Sequence, residues 1–206
     1  YQDAILPPFT KALFKYVEEG KYTFCTPGHM GGTAFQMSPA GSIFYDFYGP
    51  NAFKADVSIS MPELGSLLDH SGPHKEAEEY IARTFNADRS YIVTNGTSTA
   101  NKIVGQAVCK PGDIVLIDRD CHKSHHYACV LSGAQPYYID AFALPQYSMY
   151  GGVPIANLKA ALLELAAAGQ LDRVRMVILT NATFDGHMSH TLRTMMECLA
   201  IKPDLV

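Results

Sequence analysis

Between an apolar run and a stretch of helical spacing, residues 90–105 read SYIVTNGTSTANKIVG, with three hydroxyls, Thr97, Ser98 and Thr99, directly after Gly96. If a strand ends at Asn95 and a helix starts at Thr97, Gly96 can make the sharp turn between them without a Cβ clash. The first N–H groups of such a helix lack partners within it, its dipole places partial positive charge there, and hydroxyls add donors. That combination binds an anion. A helix cap accounts for one hydroxyl and stands as the simpler alternative. The stretch is neither the G-x-x-x-x-G-K-[ST] of a P-loop nor the G-x-G-x-x-G of dinucleotide folds. The anion it suits is therefore the phosphate of a smaller cofactor, held by Gly96, Thr97 and Ser98.

A second group of reactive side chains lies in IDRDCHKSHHYACVLSG, directly after the strand-like DIVLID. His122 then stands at the carboxyl end of a strand, the edge where ligands of open α/β sheets collect. Cys121, His122, His125, His126 and Cys129 are soft ligands at helical spacing, and a metallo-hydrolase is the sharp alternative they suggest. Tyr127, Ala128, Val130 and Leu131 among them do not line a polar cavity, so the reading adopted has no metal. LTNATFDGHMSH brings Asn181, Thr183 and Asp185 to the end of another buried strand, although a turn aspartate before glycine is the plainer explanation. In TFCTPGHMGGTAF the glycines permit close backbone approach, and His29 is open to a functional or a turn role.

The elements that must position these residues follow from periodicity. PPFTKALFKYVEEGKY has helical spacing, whereas residues 24–72 are dense in Gly, Pro, Ser and aromatics with no sustained period. From residue 73 helices and strands alternate: helix GPHKEAEEYIARTFNA, strand SYIVTN, helix TSTANKIVGQAVC, strand DIVLID, a helix over 123–132, strand QPYYID, helix IANLKAALLELAAAG, strand RVRMVILTN and helix TLRTMMECLAI. The stretch 140–153 reads as a loop. Continuous apolar strands between helices predict an α/β fold of three layers, a mostly parallel sheet with helices on both faces. The chain divides into an N-terminal helix with an irregular segment over 1–72 and a sheet domain over 73–206.

Composition narrows the function. The net charge is −4 with scattered basic residues, which excludes nucleic acid and anionic membranes as partners. No apolar stretch reaches the ~20 residues of a membrane span and no signal-peptide core opens the chain, so a cytoplasmic setting is expected. Five cysteines without C-x-x-C pairs fit reduced, structural thiols. The start at Tyr1 and the strand-like Asp204–Val206 lead us to expect a segment of a longer protein.

Taken in order, TPGHMGGTAF, FYDFYGPNAFKADVSIS, ELGSLLDHSGPHKEAEEYIARTFNADRSYIVTNGTSTANK and DRDCHKS resemble the pyridoxal-phosphate-dependent decarboxylases of lysine, arginine and ornithine, the bacterial group with the aspartate-aminotransferase fold. The resemblance covers essentially the whole chain and implies the first part of the large, cofactor-binding domain. It implies that Gly96, Thr97 and Ser98 hold the phosphate of pyridoxal 5'-phosphate and that His122 stacks on the pyridine ring. Thr183 and Asp185 are implied at the floor of the cleft, with Phe184 where relatives often have tyrosine. Gly28–Gly32 and His29 are implied near the active site at a homodimer interface, and larger assemblies are known in the family. The Schiff-base lysine and the aspartate that protonates the pyridine nitrogen are implied after Val206; Lys75 and Lys123 match neither. The implied reaction turns a basic amino acid into its amine and CO2, consuming a proton, which suits acid resistance or polyamine synthesis. Glu63, Asp69 and Asp185 stay open as partners for the substrate's basic end. The fold also hosts aminotransferases and aldolase-like enzymes, and a non-catalytic assembly module is a further alternative.

Overall fold

The computed structural model describes residues 5–24, 26–59 and 61–206. Internal contacts divide the chain into two units, Tyr1–Ile92 and Val93–Val206.

In the first unit, helix α1 (Pro8–Glu18) begins on Pro8, whose missing N–H costs nothing at a first helical position. Its buried residue, Tyr16, donates to the Met61 thioether at 3.2 Å. The stretch 24–72, expected to be irregular, holds two helices, α2 (Pro39–Tyr48) and α3 (Pro50–Lys54). Local chemistry explains them: Ser38 caps α2 by accepting the Gly41 N–H at 3.1 Å, and Pro39 and Pro50 each open a helix. The aromatic density is their core, with Phe53 among Phe35, Phe44 and Tyr45 at ring separations of 5.1, 5.7 and 5.2 Å.

Helix α4 (Gly72–Thr84) packs on α1 and carries the buried Glu78. Glu78 accepts the Ile92 N–H at 3.1 Å and lies 2.7 Å from His70 Nδ1, while Ser90 donates to the Glu78 carbonyl at 2.6 Å. No strand is formed over 90–95, contrary to expectation, and the amide of Ile92 bonds a side chain.

The second unit contains α5 (Thr97–Val108), β1 (Ile114–Asp118), α6 (Lys123–Ser132), β2 (Gln135–Ile139), the short β3 (Ala143–Leu144) and β4 (Met149–Tyr150), α7 (Ile155–Ala167), β5 (Val174–Ile178) and α8 (Thr191–Leu199). Strands β2, β1 and β5 lie in that order, all parallel, with Leu116 opposite Tyr137 and Val177. Side-chain alternation along β1 sends Ile114 and Leu116 to one face, where they meet Leu158, Leu162 and Leu165 of α7 and Cys198 of α8. Val115 and Ile117 go to the other face, with Cys109, Met176 and Cys129 of α6. Helices therefore cover both faces, as the continuous apolar strands require. Burial of Leu116, Ile117, Leu158 and Leu162, none of which retains exposed surface, stabilises the unit by roughly 1.5–3 kcal/mol each.

Four details complete this unit. Helices α5 and α6 touch at Gly105, where an added Cβ would stand 2.7 Å from the Ala128 Cβ. At the amino-terminal edge of the sheet, the Arg173 guanidinium donates to the Gly112 carbonyl at 2.7 and 2.9 Å and to Gln135 Oε1 at 2.8 Å. Those bonds tie together the starts of the three strands. The expected loop over 140–153 is instead tied together by the antiparallel β3–β4 pair. Of the strand expected at 204, Val206 makes two backbone bonds with β5, to Arg175 and Val177.

Candidate functional site

Gly96 (φ +86°) sits as the N-cap of α5 with open space where a Cβ would be. No side chain caps this helix, so the simpler explanation of the hydroxyls does not hold. Thr99 Oγ1 donates back to the Asn95 carbonyl at 3.0 Å, and the Thr99 and Ala100 amides go to the Gly96 carbonyl at 3.0 and 3.3 Å. The hydroxyls and amides of Thr97 and Ser98 make no hydrogen bond among the described residues, and both side chains are exposed. Two hydroxyls and two helix-terminal N–H groups at one turn form a donor set that fits a phosphate.

His122 follows β1 and caps α6: its Nδ1 accepts the Ser124 amide at 3.2 Å and lies 2.9 Å from Ser124 Oγ. Ser124 is fully buried, and its Oγ also receives Asn101 Nδ2 at 2.8 Å. Asn101 belongs to α5, so a three-residue chain of bonds joins the helix of the Gly96 turn to the imidazole. Neither Asn101 nor Ser124 stands out in the sequence, although the serine is visible in CHKS and the asparagine in GTSTANK.

The other soft side chains go to separate partners. His125 Nε2 lies 3.4 Å from Asn101 Nδ2, and its pKa is lowered by burial, then by the neighbouring His122 and His126. His126 sits between Cys121 Sγ at 3.6 Å and the Tyr138 hydroxyl at 3.2 Å. Burial, followed by the Asp118 charge, raises the Cys121 thiol to about 11. Cys129 is in the core. Among the described residues no group of three or more His, Cys, Asp or Glu side chains converges to hold a metal.

Asp118, buried at the end of β1, accepts the Asp120 amide at 2.9 Å and the Thr180 amide at 3.4 Å, joining the loops that follow β1 and β5. Within the second of these loops Thr183 is buried, and its Oγ1 accepts the His187 amide at 3.1 Å. Asp185 and Phe184 are exposed at the tip of that turn. In the first unit His29 packs against Phe35, its Nδ1 accepting the Gly32 amide at 3.1 Å and its Nε2 lying 3.1 Å from Asp56. Glu63 is engaged by Lys21 at 2.6 Å, which lowers its pKa.

Residues 7–203 match the family model described as Orn/Lys/Arg decarboxylase, major domain. The inducible lysine decarboxylase of Escherichia coli K12 is 58% identical over 93% of this chain and 27% of its own length. The lysine decarboxylase of Hafnia alvei is 56% identical over 93% and 26%. The solved structure of the E. coli constitutive lysine decarboxylase superposes with a TM-score of 0.76 at 55% identity, over 90% of this chain and 26% of that one. The chain thus spans about a quarter of the length of these relatives. On these matches the chain belongs to the Orn/Lys/Arg decarboxylase family and represents part of its major domain.

Proposed function

We propose that the chain works, within a protein of its relatives' length, as the cofactor-phosphate and ring-binding part of a pyridoxal-phosphate-dependent decarboxylase. The observation that carries this is the pair of unengaged hydroxyls and amides at Thr97 and Ser98, on a helix that the Asn101–Ser124 bond joins to the residue holding the His122 imidazole. Thr97 and Ser98 donate to the phosphate, and the dipole of α5 favours its charge. His122 lies against the ring and keeps water from that face. Pyridoxal phosphate, when bound, supplies the electron sink that accepts the electron pair released as CO2 leaves. Thr183, already bonded within its turn, contributes shape to the cleft floor, with Asp185 at its rim. Of the substrates in the family description we favour lysine, because both curated relatives above are named lysine decarboxylases. The reading carries with it a homodimer in the cytoplasm; no helix among the described residues is long and apolar enough to cross a membrane.

Two measurements test it. Pyridoxal phosphate titrated into the ¹⁵N-labelled chain shifts the Thr97 and Ser98 amide resonances, and saturation without such shifts overturns the phosphate assignment. In the longer protein, CO2 release from L-lysine exceeds that from L-ornithine and L-arginine; transamination without CO2 release overturns the reaction class.

A further inference from the structure

We infer that Asn101 and Ser124 are positioning residues that fix the His122 imidazole in its Nε2–H tautomer and tie its orientation to the helix that opens the phosphate turn. The functional weight of this rests on the reading above; the tautomer itself does not.

A backbone N–H can only donate, so the Ser124 amide, 3.2 Å from His122 Nδ1, requires a lone pair on that nitrogen. The proton of the neutral ring is then on Nε2. Ser124 Oγ, 2.9 Å from the same lone pair, must donate to it, which leaves the serine oxygen as an acceptor. What it accepts is Asn101 Nδ2 at 2.8 Å, and this sets the amide's orientation with Nδ2 toward Ser124. The second Nδ2 hydrogen faces His125 Nε2 at 3.4 Å, consistent with a ring that burial keeps neutral. Every sense of donation in the chain thus follows from one peptide group. Burial of Ser124 excludes water as a substitute.

The chain of bonds also has a mechanical meaning. Asn101 stands five residues beyond Gly96, about 7.5 Å along the axis of α5. A rotation of the His122 ring breaks its bonds to Ser124, the residue that a further bond ties to the helix whose first turn offers donors to the phosphate. The other polar atom of the exposed ring, Nε2–H, has no hydrogen-bond partner among the described residues.

The experiment is a long-range ¹H–¹⁵N correlation spectrum of the imidazoles in the ¹⁵N-labelled chain, above the histidine titration range. His122 is assigned by the signal lost in H122Q. The wild type shows Nδ1 at the position of an unprotonated, pyridine-like nitrogen and Nε2 as a pyrrole-like N–H; an Nδ1–H signal overturns the inference without any variant. S124A, which keeps the peptide N–H and removes only the hydroxyl, leaves His122 in the Nε2–H tautomer and moves Nδ1 toward the position of a pyridine-like nitrogen with one hydrogen bond fewer, and S124T, which keeps the hydroxyl, returns it. N101D, which accepts and cannot donate, draws the Ser124 hydroxyl away and moves Nδ1 as S124A does. An His122 spectrum unchanged in both S124A and N101D refutes the relay. Because pyridoxal phosphate is read on the Thr97 and Ser98 amides, a failure of the phosphate reading leaves the imidazole result standing, and the reverse also holds.

Discussion

Placing a methyl group at Gly105 sets two effects of opposite sign against each other. Glycine to alanine inside a helix gains about 1 kcal/mol of propensity. The new Cβ, however, would lie 2.7 Å from the Ala128 Cβ, whereas carbon atoms rest at about 3.5–4.0 Å, so α5 and α6 must separate by roughly 1 Å. Overpacking of this kind costs about 1–3 kcal/mol, and we expect G105A to be destabilised by up to about 2 kcal/mol. A movement of about 1 Å would also stretch the 2.8 Å bond from Asn101 to Ser124 beyond hydrogen-bonding range. A double-mutant cycle gives the sharper test. A128G alone loses about 1 kcal/mol of propensity and about 0.8 kcal/mol of buried methyl, yet it removes the atom that the introduced methyl strikes. Urea denaturation of the wild type, the two single variants and G105A/A128G should give a favourable coupling of about 1–3 kcal/mol at unchanged m-value. Additivity within about 0.5 kcal/mol, or a G105A protein stabilised by about 1 kcal/mol, would refute the close helix contact from which the Asn101–Ser124 geometry follows.

Three further outcomes are expected. T97A and S98A should leave stability within about 0.5 kcal/mol, since neither side chain caps α5, while each weakens pyridoxal phosphate binding by about tenfold or more, measured by calorimetry. Cys121, held near 11 against an ordinary 9.0, should be alkylated about a hundredfold more slowly than an unperturbed thiol at about pH 8, followed by peptide mass spectrometry; equal rates would contradict its burial beside Asp118. His125 titrates below its ordinary 6.5 in the fold, so the unfolded chain takes up this proton first: stability is full above about 6.5 and falls as pH drops below it. H125Q should flatten that part of the stability curve and leave untouched the lower-pH loss from Glu197 and Asp204, whose pKa values Lys159 and Lys202 depress.

Where a local signal sufficed, the sequence was readable. Strands β1 and β5 show themselves as apolar runs, because burial writes hydrophobicity directly into a strand, whereas the more exposed β2 shows only its aromatic Tyr137 and Tyr138 before Ile139. The Gly96 turn was legible for the same reason, since a glycine and hydroxyls at a helix start act within a few residues. Residues 90–95 misled, because strand character specifies a willingness to pair and not a partner: the amide of Ile92 is taken by Glu78, a residue on another element. Helices α2 and α3 were hidden under aromatic and proline density, although Ser38, Pro39 and Pro50 are ordinary start signals. The Asn101–Ser124–His122 chain was beyond reach. It depends on how closely two helices approach at Gly105, a distance no periodicity encodes.

The order in which the sheet can assemble follows from β1 lying at its centre. On a ribosome, β1 emerges with the residues of β2 soon behind it, but its second edge stays unpaired until Val174–Ile178 has been synthesised, after the whole of α7. During that interval one row of backbone donors and acceptors and the Leu116 face are open to other chains, the condition under which nascent α/β domains associate wrongly. The central strand thus keeps one edge open until translation has carried the chain from Asp118 to Ile178.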